Sequence, residues 1–461
     1  MRRREFLRTV AFSTCLLQTI KAEKIDSTNE IKTAILYRNL ADGRPEWRTV
    51  EDAVNIIADL KPDFIWMIYE KGIVCPAENE DTAYDQAYEA LITAEFPEEK
   101  AREIASDYAQ GVKERCYHFD CWKYQTTLLK QKLDVTVSSA IFTQGIPYWG
   151  WHFETLEPYT QEEIRSMALN LADYGLKDWD FERTQKFFQK YTGFNVYYPD
   201  YCNEDYQEWL LSCIKRMKDC GADAVWLDMF FSQATLTYRD IIRDFNHPAV
   251  KKPFEACCDL IDRIKRKYGL MVGSWSGSYV LLYLGADKYN YPTPNFDFIT
   301  ENPDAREVLS MNFDDDKWGK IFTAIRRYNP NVTILITPDW GPWDNTMLAV
   351  FSQELTQEQQ CQYLRIWNNF ARKHEAVPCF PVHGGDLGPN AKKLAWGKYP
   401  IYDALAPEFN TYNCIKKLIQ ESQIITTVAP QKRIPGFTIL NLIMGLIIVI
   451  LLKKILQSKK N

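Results

Sequence analysis

Gly221-Ala222-Asp223-Ala224-Val225-Trp226-Leu227-Asp228-Met229-Phe230 reads as a buried strand that begins as soon as a helix ends. Upstream, Asn203 is a natural N-cap, and Tyr206, Trp209, Leu210, Cys213, Ile214 and Met217 recur at helical spacing, so one face of that helix is apolar. Gly221 supplies the left-handed residue that stops it. The strand is rich in Val, Leu, Trp and Phe without strict alternation, as expected where both faces are covered in a parallel sheet.

Working outward, seven more runs have the same character, at 33–39, 63–70, 134–142, 270–276, 296–302, 331–340 and 377–384. Helical patterns separate them. Asn302-Pro303 reads as an N-cap followed by Pro at N1, Thr356 with Gln359 as a capping box, and 407–422 as the last helix. Eight strand–helix alternations predict an α/β chain folded as a (β/α)8 TIM-type barrel over 30–425. The extra length falls after strands two and three, so 71–125 and 143–205 are expected as helical and loop insertions, candidate lids over the mouth. A doubly wound open sheet is the competing topology, but no Gly-x-Gly-x-x-Gly follows any strand.

Composition narrows the function. The net charge is −6 and the basic residues are dispersed, so no stripe suits a phosphate backbone and nucleic acid is not an expected partner. Aromatics make up 14% of the chain, enough to expect some rings to line a binding face for sugars. The 12 cysteines include Cys15 near the N-terminus, which leaves an odd number in the body. Mostly buried thiols with one or two disulfides are expected. No Cys/His spacing, HxH or HExxH points to a metal, no Gly-x-Ser-x-Gly elbow or P-loop is present, and no metal or cofactor is expected. The sequon at Asn331-Val332-Thr333 falls in a predicted buried strand and is discounted.

The two ends predict export and anchoring. Arg2-Arg3-Arg4 precede an apolar run at 9–20, the grammar of a signal peptide over 1–22, and Arg3-Arg4-Glu5-Phe6-Leu7 resembles the twin-arginine signature. After a short stem at 426–434, Pro435-Gly436-Phe437 leads into an apolar stretch at 438–452 and a basic tail beginning at Lys453-Lys454. With Ile455 and Leu456 this is long enough to approach a membrane span, and the basic end belongs on the cytoplasmic side. The segment 435–461 resembles the PGF-type sorting signal of archaeal surface proteins, which implies a cell-surface body held by a C-terminal transmembrane helix or by a lipid that replaces it.

Catalytic groups of such barrels sit at the C-terminal ends of strands. Asp228 ends strand four, Glu301 strand six, Asp339 strand seven and Glu70 strand two. Two carboxyls across a mouth are the requirement of glycosidic hydrolysis. Val225-Trp226-Leu227-Asp228 resembles the nucleophile strand of α-galactosidase-like and α-fucosidase-like barrels, and Phe298-Ile299-Thr300-Glu301 is similar to the strand end of hypothetical glycosyl hydrolase barrels. The resemblance to glycoside hydrolase-like TIM barrels implies Asp228 as nucleophile and Glu301 as general acid/base, with Asp339 a further catalytic acid because amylase-like barrels use one on strand seven. Glu70, Trp149, Trp151, His152, Trp226, Trp275, Trp340 and His383 are the expected substrate contacts, as stacking rings and hydroxyl partners. The expectation is therefore a membrane-held, extracellular glycosidase for an oligosaccharide or surface glycan. Its rivals are a non-catalytic glycan-binding or envelope protein on the same barrel, and a metal-dependent hydrolase or deacetylase.

Overall fold

The computed structural model describes residues 31–38, 49–275, 285–338, 355–384 and 411–428. Within them run strands β1 (Ala34–Arg38), β2 (Phe64–Trp66), β3 (Glu70–Lys71), β4 (Thr136–Phe142), β5 (Ala224–Asp228), β6 (Met271–Trp275), β7 (Phe298–Glu301), β8 (Thr333–Ile336) and β9 (Val377–Gly384). Each is parallel to its neighbours. β1 pairs with both β2 and β9, and β2 pairs across to β4, so the ring closes. β2 and β3 both pair with β4 and together form one stave, giving eight staves and the (β/α)8 architecture read from the sequence. All eight predicted strands contribute.

The helix of the opening stretch is α7 in chain order. Before it come α1 (Val50–Leu60), α2 (Ala83–Thr93), α3 (Glu98–Arg115), α4 (Phe119–Lys132), α5 (Gln161–Ser166) and α6 (Phe181–Thr192). α7 itself (Glu204–Asp219) is capped by the Asn203 side chain, which accepts from the Tyr206 N–H at 2.9 Å. It buries the six predicted apolar residues. It is followed by α8 (Ser232–Thr237), α9 (Pro248–Tyr268), α10 (Ala305–Ser310), α11 (Asp315–Tyr328), α12 (Gln357–Lys373) and α13 (Tyr412–Val428). The Thr356–Gln359 capping box is present at α12. The other expected cap is displaced by two residues. Asp304 rather than Asn302 caps α10, because its carboxylate reaches the N–H groups of Arg306 and Glu307 while Glu307 reaches back to Asp304. The asparagine of the sequon also falls outside the strand. β8 begins at Thr333, and Asn331 lies exposed in the turn before it.

Strand pleat divides the core in two. Ala34, Leu36, Phe64, Trp66, Ala140, Ala224, Trp226, Phe298, Leu335 and Cys379 fill the barrel interior. The alternate residues Ile35, Ile65, Val137, Ile141, Val225, Leu227, Ile299, Ile334 and Ile336 face the helices. The interior is layered, as expected when alternate strands contribute to each level. Phe64 meets Phe298 edge-on at 5.1 Å in one layer. Trp66 meets Trp226 at 5.3 Å in the next, where the indole N–H of Trp226 donates to the Thr300 hydroxyl at 3.1 Å. Gly273 makes room for this filling, since a Cβ there would lie 2.3 Å from the Phe298 ring.

Both insertions are present. α2 and α3 occupy the first. The second holds α5, α6 and short antiparallel bridges such as Ile146 with Tyr197. All 11 cysteines from Cys75 to Cys414 are free thiols. The expected disulfides are therefore absent from the described residues. Among these residues no helix is long and apolar enough to cross a membrane. The signal at 1–22, the stem from 429 onward, the PGF segment and the basic tail lie outside the described residues.

Candidate active site

Asp228 is the last residue of β5 and half-buried. It lies two residues beyond Trp226, so the two-residue period of a strand puts its side chain on the interior face, above the tryptophan layer. The backbone then turns sharply into α8. Met229 takes a left-handed φ of 50°, a conformation that costs a non-glycine residue about 1 kcal/mol or more.

A buried polar network from the second insertion holds this turn. The Thr143 hydroxyl, at the end of β4, donates to the Asp228 carbonyl and lies 3.3 Å from the Tyr201 hydroxyl. Tyr198 and Tyr201 both bond the Ser232 hydroxyl, at 2.6 and 3.4 Å, on the first residue of α8. Gln233 accepts from the Tyr201 N–H at 2.8 Å and donates to Asp200 at 3.2 Å. Asp200 also accepts from the Tyr174 hydroxyl at 2.6 Å, and burial raises its carboxyl above the usual range. Each polar group is paired, so the network costs little to bury and rigidifies what it touches. None of these roles is legible in the sequence, because Thr143, Asp200, Ser232 and Gln233 meet only in three dimensions.

Strand register decides which acids meet. β7 alternates, with Thr300 inward on Trp226 and Glu301 outward, in register with Ile336 of the helix-facing core. Glu301 is 7% exposed and sits between strand and helix layers. The expected Asp228–Glu301 pair across the mouth is therefore not brought together, because one residue of pleat separates inward from outward. Glu70 behaves oppositely. It is in register with Ala140, which is in register with Trp226, and both of those are interior residues. In a tilted barrel the residue at the same height two staves on lies two positions past the register partner. That step joins Trp66 to Trp226 and Trp226 to Thr300, as their contacts show. The same step joins Glu70 to Asp228 and Asp228 to Asn302. Register thus sets these three at one height, with Trp275 one step past the last residue of the adjacent strand that pairs with β5.

The remaining expected contacts are scattered. Trp226 is 1% exposed and belongs to the layer beneath the mouth. Trp149 and Trp151 are 9% and 1% exposed. Their rings pack edge-on against Tyr108 of α3 at 5.6 and 6.1 Å, joining the two insertions as core. His152 is half-buried, its ring against Tyr159 at 3.8 Å. Asp339 and Trp340 lie outside the described residues, as does the side chain of His383. Among the described residues no group of His, Cys, Asp and Glu is arranged to hold a metal ion.

No protein-family model matches the chain, and no curated protein matches it. Solved structures similar to it include the glycoside hydrolase domain of PelA from Pseudomonas aeruginosa, at 12% identity over 76% of this chain and 94% of that one, with a TM-score of 0.34. Amy13B of Eubacterium rectale is 9% identical over 84% and 77% of the two chains, with a TM-score of 0.46. The Nostoc punctiforme debranching enzyme is 11% identical over 86% and 82%, also at 0.46. Likenesses at this level add nothing to the barrel, which the strand pairing shows directly.

Proposed function

We propose that this chain is a glycoside hydrolase-like protein acting on an oligosaccharide or surface glycan, with Asp228 as its nucleophile. The observation that carries the reading is the setting of Asp228. A half-buried carboxylate faces inward at the C-terminal end of a barrel strand, on a turn fixed by the Thr143 and Ser232 bonds. A nucleophile needs that combination of access and rigidity, since catalysis by position is lost when the attacking oxygen wanders. Trp275, half-buried on the neighbouring strand, offers an apolar ring to a sugar face. The proposal includes export and retention at the membrane, supported by the basic and apolar grammar of the two ends.

The test is a screen of aryl α- and β-glycosides with the wild type and with Asp228→Asn, Glu301→Gln and Asp339→Asn. Removing a nucleophile is expected to lower kcat by about 10⁴-fold or more. Activity that survives Asp228→Asn removes this residue from the chemistry. A wild type that binds glycans without turnover supports the non-catalytic alternative on the same barrel.

A further inference from the structure

We infer that Glu70 is the carboxyl that works opposite Asp228, as general acid and then general base. The inference rests on the reading of Asp228 as nucleophile. It starts from an irregularity in the second stave. Phe64 and Ile65 are in register with Thr136 and Val137, whereas Glu70 is in register with Ala140, so six residues on this stave span four on β4. The two extra residues are absorbed where Met67 adopts a left-handed φ of 63°. Without the bulge, the interior position level with Asp228 would fall to Ile68. With it, Ile68 and Tyr69 turn to the outer core, and the stave presents Glu70 to the interior instead. A strained bulge that replaces an isoleucine by an acid at the rim of a barrel is costly for folding alone, and strain of this kind concentrates at functional sites.

The neighbourhood suits the role. Lys71 points the opposite way, into the helix-facing core over the Trp209 ring, as the alternation of the stave requires. The Tyr117 hydroxyl accepts from the Gly72 N–H at 2.8 Å and donates to the Val74 carbonyl at 3.0 Å, fixing the chain just past Glu70. Asp228 and Glu70 stand on alternate staves, at one height, on the inner face. In the reaction, an Asp228 oxygen bonds to the anomeric carbon as the glycosidic C–O bond breaks, and Glu70 gives its proton to the departing oxygen. Water then attacks the same carbon, its proton passes to Glu70, and the glycosyl–Asp228 ester bond breaks.

The test uses Glu70→Gln with two classes of aryl glycoside. Phenyl glycosides need protonation of the leaving oxygen, and dinitrophenyl glycosides do not. Glu70→Gln is expected to lower kcat/KM for the phenyl glycoside by about 100-fold or more, to lower it for the dinitrophenyl glycoside far less, and to remove the alkaline limb of the pH profile. Glu301→Gln is expected to leave both rates within a few-fold. A Glu70→Gln protein as active as wild type on both substrates, beside an inactive Asp228→Asn, overturns the inference and leaves the proposed nucleophile standing. Activity in Asp228→Asn overturns the proposed function instead. A second measurement needs no substrate. At a pH high enough to ionise both carboxyls, the urea midpoints of Glu70→Gln, Asp228→Asn and the double variant should be non-additive, because neutralising one of two facing carboxylates relieves the repulsion both feel. Additive shifts overturn the juxtaposition.

Discussion

Lys71→Met should make this protein more stable, although it deletes a charged side chain. Lys71 is 0% exposed, and its ammonium nitrogen has no hydrogen-bond partner. It rests 4.1 Å from the centre of the Trp209 ring, in the field of the Cys75 and Cys213 thiols. A buried donor left without a partner costs about 1–3 kcal/mol. The contact with Trp209 returns at most about 2 kcal/mol, and only while the amine is charged. Methionine has similar reach, leaves nothing unsatisfied and retains a favourable sulfur–aromatic contact of about 0.3–1.5 kcal/mol. The expected gain is therefore about 1–2 kcal/mol, read as a shift of the urea midpoint to higher concentration at unchanged slope.

The pH dependence gives an independent check. Burial lowers the pKa of Lys71 below its ordinary 10.5. Between the folded and unfolded values the unfolded chain binds the proton and the folded chain does not. Stability of the wild type relative to Lys71→Met thus rises with pH across that window, with the full cost of burying the charge below the folded pKa and only the cost of the unpartnered neutral amine above 10.5. The stability difference between the two proteins should shrink as pH approaches 10.5 from below. A variant destabilised by more than about 1 kcal/mol, well outside the expected range, or a difference independent of pH, would refute the reasoning.

Two further predictions concern the frame around the site. Gly221 has φ +99°, and a Cβ there would lie 2.7 Å from the Thr126 methyl, so Gly221→Ala should cost about 2–3 kcal/mol from the left-handed backbone and the clash together. A melting temperature equal to that of wild type would show that the turn before β5 relaxes. The Cys414 thiol donates to the Cys361 carbonyl at 3.7 Å, and the neighbouring Cys414 side chain lowers the Cys361 thiol to about 7. Iodoacetamide at pH 7 should alkylate Cys361 ahead of the buried Cys213 and Cys379, whose thiols burial pushes up. Peptide mapping that finds no preference for Cys361 would contradict it.

The local sequence alone determined the staves, the helix caps at Asn203 and Thr356, and Asp228 as the residue at a strand end. These are short-range properties. Strand runs covered on both faces, a helix stopped by glycine and a capping box each depend on neighbours within a few positions. Local cues can compete, as at Asp304, whose carboxylate reaches two N–H groups and so takes the cap expected at Asn302. Tertiary structure decided which acids share the mouth. Glu301 and Asp228 both end strands, and only strand register shows that pleat turns one outward and the other inward. Glu70 reaches the interior layer because a two-residue bulge shifts its stave against β4, a pairing between segments about 70 residues apart in sequence. Likewise, Trp149 and Trp151 read as exposed stacking rings, but the two insertions close over them as core. Identity and spacing along the chain carry residue chemistry, whereas facing and depth come from closure of the barrel, which no local stretch encodes.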